Sequence, residues 1–111
     1  MKYMLMFRSL KGTELDVPPC KDLDAMLAYI GELTQAGVML AHAGLAPSVK
    51  GARVRLSDGK VDVRDGPFTE SKELIAGYAM VEVKSKSEAV EHAKKFLAIA
   101  GEGESEVREV L

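Results

Sequence analysis

Two stretches of helical periodicity, 21–37 and 85–101, each stand between apolar runs of strand length. This arrangement is the strongest constraint on what the chain can fold into. The first run, KYMLMFR (2–8), is nearly all apolar and predicts a central strand. In 21–37, Leu23, Met26, Leu27, Ile30 and Leu33 recur at helical spacing and predict one buried stripe. Asp22 and Asp24 fall in its first turn, where they complement the helix dipole, and Gly37 supplies a stop. A second strand is expected over 38–47, ending at Pro47. In the other half, a long strand over 73–85 carries an internal Gly77, which signals a bulge or a close backbone approach. Ser85 and Glu88 have capping-box spacing ahead of the second helix, whose expected stripe is Val90, Ala93, Phe96, Leu97 and Ala100. Residues 105–111 form the last predicted strand.

Between the halves, ARVRLSDGKVDVRDG (52–66) reads as a hairpin. Val54, Leu56, Val61 and Val63 alternate with charged residues, and Asp58-Gly59 is a two-residue turn signal. This register sets Arg55 opposite Asp62, a favourable pair, and Arg53 opposite Arg64, an unfavourable one. The order β-α-β, hairpin, β-α-β predicts an α+β fold: a ferredoxin-like split β-α-β with an inserted β-hairpin. Residues 1–111 make one domain of this plan. Its antiparallel sheet carries two helices on one face. The strands are apolar on both faces, with Tyr3, Leu5 and Phe7 against Met4 and Met6, and Ala79, Val81 and Val83 against Tyr78 and Met80. Helices on one side leave the other bare, and a homodimer with sheet packed on sheet about a two-fold axis would cover it.

The 111 residues are 47% hydrophobic and 29% charged, a globular composition, and the net charge of −2 gives no footprint for nucleic acid or an anionic membrane. The apolar run at 4–7 is too short for a signal peptide or a span, and a lone cysteine, Cys20, suits a reducing cytoplasm. His42, His92 and Cys20 have no metal-ligand spacing, so no metal and no cofactor are expected, and His92 reads as part of a polar helix face. His42 is the better chemical lead: in strand two it shares a face with Val38, Leu40 and Gly44, and an imidazole there is either a hydrogen-bonded core group or a proton carrier in a pocket.

The stretch RDGPFTESKELIAGY (64–78) is the candidate site loop. Asp65-Gly66-Pro67 makes a sharp turn. The structural reading has Asp65 bonding the turn backbone, Phe68 folded inward as a pin, and Glu70 paired with Lys72 in solvent. The functional reading places Asp65 and Glu70 at a pocket mouth. Phe68, Glu70, Lys72, Tyr78 and Arg53 are the candidate ligand contacts, and His42 with Asp65 the candidate acid/base pair.

DGPFTESKE (65–73) resembles the D-G-P-F-x-E-S/T-K-E signature of the DGPF, or YCII-related, family. MKYMLMFR, AGVMLAHAGLAP, ARVRLSDGKVDVRDGPF, GYAMVEVKSKSEAVEHA and SEVREV are similar to that family in the same order. The resemblance implies a bacterial protein of dimeric α+β barrel architecture, two ferredoxin-like protomers with their sheets face to face. It implies little about activity, since the family is largely of unknown function. A His–Asp pair has been proposed as catalytic for related members, with the His near the start of the first helix. Here that region, PPCKDLDAM, has no His, so the pair does not transfer. Three functions follow as alternatives. The first is a cytoplasmic homodimer binding a small molecule between sheet and helices, in a regulatory role. The second is a cofactor-independent enzyme using His42 and Asp65. The third is a structural partner of a sigma-factor-type transcription regulator.

Overall fold

The computed structural model describes residues 1–10, 20–68 and 74–111. The elements run β1 (Lys2–Arg8), α1 (Leu23–Gln35), β2 (Met39–Gly44), β3 (Ala52–Ser57), β4 (Lys60–Asp65), β5 (Gly77–Glu82), α2 (Lys86–Ala100) and β6 (Glu104–Glu109). Strands β2, β5, β1 and β6 form a four-stranded sheet in that order, antiparallel throughout, and β3 and β4 form a separate two-stranded ribbon. This is the ferredoxin-like α+β plan with the hairpin inserted between its halves. No helix among the described residues is long and apolar enough to cross a membrane.

Both helices start on side-chain caps. Asp22 Oδ1 accepts from the Ala25 N–H at 3.0 Å, and Ser85 Oγ accepts from Glu88 N–H at 3.1 Å. The reciprocal half of the second cap is displaced by one residue, because Glu88 Oε2 accepts from the Lys84 N–H rather than from Ser85. α1 ends at Gly37, which takes φ 75°.

The core lies between one sheet face and the helices. Tyr3, Leu5, Met39, Ala79, Val81 and Val83 meet Tyr29, Leu33, Ala89 and Ala93. Val81 is at its centre, fully buried and paired with Tyr3 on one side and Met39 on the other. The small Ala89 and Ala93 let α2 settle close to the strands. The α2 stripe lies where expected, with Ala93 buried and Val90, Phe96, Leu97 and Ala100 half-buried, but the α1 stripe is rotated from the expected one. α1 buries Tyr29 and Leu33, with Met26 and Ile30 half-covered, while Leu23 and Leu27 are 60% and 58% exposed. Tyr29 takes their place because a phenol offers a large apolar body and a polar tip that reaches a partner on α2. The sheet's other face presents Met4, Met6, Tyr78 and Met80, all half-buried.

The hairpin has the register its turn predicts, with Arg55 opposite Asp62 and Arg53 opposite Arg64. Asp58 and Gly59 have φ values of 52° and 75°, the left-handed pair that a tight two-residue turn requires. The two opposed arginines are relieved in different directions. Arg64 Nε donates to Asp62 at 3.0 Å, and the Arg53 guanidinium lies 4.1 Å from the centre of the Phe68 ring.

Candidate functional site

A cavity of about 550 Å³ opens between the sheet and the facing ends of the helices, the N-terminal half of α1 and the C-terminal half of α2. Its wall is mainly apolar: Leu5 and Ala79 from the strands, Met26 and Ile30 from α1, Phe96 and Leu97 from α2. The space exists because the ends of β2 and β5 pair glycine with glycine, Gly44 opposite Gly77, with Ala43 and Ala76 beside them. Ala43, Gly44, Ala76 and Gly77 line this end. A Cβ on Gly77 would stand 3.1 Å from the Ala43 carbonyl oxygen, so the expected close backbone approach is present. Polar groups are few, among them His42, Lys21 and Cys20.

His42 reaches this wall by a route the sequence does not display. The ladder slips by one residue between Met39 and Ala41: Met39 opposes Val81, yet Ala41 opposes Met80. Leu40 is the extra residue of a β-bulge. Regular alternation places His42 on the face of Leu40, away from the helices. The bulge turns it to the helix side, opposite Ala79. The expectation of a face shared with Val38 and Leu40 is corrected accordingly. His42 is exposed at the cavity wall and makes no hydrogen bond among the described residues.

The remaining candidates divide between two places. Tyr78 borders the same cavity, although its register opposite Met6 directs its side chain to the other face of the sheet. Asp65, Arg53 and Phe68 stand at the base of the hairpin and do not line the cavity. His42 and Asp65 are therefore not gathered on one wall. Glu70 and Lys72 lie outside the described residues.

At the hairpin base, the D-G-P-F segment forms a clamp. The Gly66 N–H donates to the Gly51 carbonyl at 3.0 Å, and the Phe68 N–H donates to Ser48 Oγ at 2.9 Å. Ser48 opens a single 3-10 turn, Ser48–Lys50, and is buried. A Cβ on Gly66 would collide with the Ser48 carbonyl, so only glycine lets the two backbones meet. Phe68 is half-buried under Arg53, as the pin reading expects. Asp65 differs from that reading. Its side chain is exposed and bonds no turn backbone among the described residues, because main-chain groups of Gly66 and Phe68 already hold the turn.

His92 also departs from expectation. It is half-buried between the helices rather than on a polar face, with Nδ1 2.6 Å from Tyr29 Oη. Its Nε2 is buried and has no hydrogen-bond partner among the described residues. The Tyr29 phenol is held above its ordinary pKa, first by burial and then by the Glu32 carboxylate. Phe96 packs edge-on against Tyr29 at 4.9 Å and continues this contact to the cavity wall.

Sequence reasoning read Met26, Ile30, Phe96 and Leu97 as core. An apolar stripe looks the same whether it meets a packed sheet or a cavity. The signal that distinguishes them is on the opposite elements, in the small-residue runs AHAG and AGYA.

The chain is 33% identical over 81 residues to an uncharacterised protein of Rhizobium meliloti (strain 1021), an overlap covering 73% of this chain and 63% of the relative. It thus spans less than two thirds of that relative's length. The model of the YCII-related domain matches residues 1–111, and the chain belongs to that family.

Proposed function

We propose that the protein is a cytoplasmic homodimer that binds a small, largely apolar molecule between sheet and helices, in a sensing or regulatory role. The observation that carries this reading is the cavity. About 550 Å³ lies within the range of ligand sites, and an apolar wall with a few polar groups is their usual make-up. Binding is favoured over catalysis by the expected pair because His42 stands on the cavity wall while Asp65 stands on the hairpin, so those two groups do not face one bound molecule. The dimer is supported by the sheet face bearing Met4, Met6, Tyr78 and Met80, which no helix among the described residues covers.

The test is a thermal-shift screen of the protein against a metabolite library. A ligand at 100 times its Kd stabilises by about 2.7 kcal/mol, a shift of about 10 °C in a domain of this size. The hit should fail to stabilise Leu97→Trp, which fills the cavity, and should bind His42→Ala more weakly. Hits that stabilise Leu97→Trp as well as the wild type would place binding elsewhere and overturn the reading. Sedimentation checks the dimer: Met80→Lys should dissociate it, and a wild-type monomer at every concentration would refute it.

A further inference from the structure

The hairpin is the part of the protomer least accounted for by its own core. Val54, Leu56, Val61 and Val63 share one face of the ribbon and are 70%, 72%, 67% and 60% exposed. β3 and β4 pair with each other and pack appreciably against no other helix or strand. An isolated two-stranded ribbon is marginal in water, and four bare branched side chains on one face ask for a cover.

The same chain carries a surface with the opposite needs. Leu23 and Leu27 project from the flank of α1 turned away from Tyr29 and α2, and Gly31 continues that line with open space above it. Beneath α1 runs β2, among the described residues an edge strand paired only with β5, with Leu40 of the bulge exposed upon it. α1 is acidic. Its cap and body bring Asp22, Asp24 and Glu32 and no basic residue. The ribbon is basic on the face behind its apolar four, where Arg53, Arg55 and Arg64 outnumber Asp62. In a ribbon both strands are edges, so long arginine side chains can reach round from either face.

From this complementarity we propose that the hairpin is an exchange arm. In the homodimer each protomer's β3–β4 ribbon lies on the other's α1 flank and β2 edge, with its apolar face on Leu23 and Leu27 and its arginines beside the helix acids. The occupant is a second copy because both complementary surfaces belong to one chain. A two-fold axis then satisfies both arms and both flanks at once, and the assembly closes at two. The arm also covers the bare edge of β2, which otherwise invites strand addition by other chains. The inference rests on the dimer proposed above but concerns a different surface from the sheet face.

The experiment uses Cys20→Ser protein co-expressed in two differently tagged forms, one carrying Leu56→Cys and the other Leu27→Cys. Oxidation should give a disulfide species holding both tags. Leu56→Asp, and separately Asp24→Lys, should raise the dimer dissociation constant in sedimentation at least tenfold. A wild type that is monomeric would remove the dimer and this proposal together. A wild-type dimer that gives no mixed-tag disulfide, and whose dissociation constant is unmoved by Leu56→Asp, would overturn the arm and leave the sheet-face dimer standing. The cysteine variants lie at exposed positions of a folded protomer, so their result holds even where Leu56→Asp fails to fold.

Discussion

Gly66 and the Tyr29–His92 pair show how single atoms set the local rules of this molecule. At Gly66 the absence of a Cβ allows the arm base to touch the Ser48 turn. Gly66→Ala should lower stability by about 1–3 kcal/mol, a fall in Tm on the order of 4 °C for each kcal/mol, measurable by differential scanning fluorimetry. Asp65→Ala, one residue away, should change it by less than about 0.5 kcal/mol, because that carboxylate is exposed and unpaired among the described residues. At the helix interface, either Tyr29→Phe or His92→Leu alone strands a polar partner and should cost about 1–3 kcal/mol. The double variant should recover most of that loss, and a double-mutant cycle by urea denaturation reads the coupling directly.

The elements follow different degrees of local instruction. The hairpin was fully legible: Asp58-Gly59 fixes the turn, the turn fixes the register, and the register pairs Arg55 with Asp62. The Ser85 cap was legible for the same reason, since it acts on a backbone group only three residues away, whereas Asp22, expected in the first turn as a dipole partner, is the N-cap of α1. Asp22→Ala and Ser85→Ala should each cost about 1 kcal/mol, visible as a lower urea midpoint with an unchanged slope. The α2 stripe was legible, and the α1 stripe was legible in existence but not in rotation. Periodicity counts apolar residues and cannot tell Leu27, which faces outward, from Tyr29, which faces in. The β2 bulge has no sequence mark at all, because it comes from how β2 and β5 align, so the face of His42 and hence its place on the cavity wall were not legible.

On the scale of the whole protomer, the radius of gyration is 15.5 Å, against about 13 Å for a compact domain of similar length. The excess fits a body with a projecting arm. Backbone amides of β3 and β4 should exchange hydrogen faster than those of β1 and β5, and should slow as protein concentration rises toward association. The edge strand β6 contributes to the acid response. Glu106 is held below the ordinary carboxylate range, chiefly by its bond from Arg108 and then by Arg8, which donates at 2.9 Å. A lowered folded value means that Glu106 adds stability above the usual carboxylate pKa and loses it as pH falls through the folded one. Glu106→Gln should therefore flatten the fall of Tm on acidification below about pH 5. The bulge in β2 has a reach beyond its own strand. The bulge decides which side chain meets the cavity wall. With Leu40 looped out, an imidazole faces the cavity. With the strand drawn straight from Met39, Ala41 turns a methyl to that wall and the imidazole moves to the sheet's other side. One extra residue in the strand thus sets the chemistry of the wall, and deleting Leu40 should keep the imidazole on the cavity side of a regular strand.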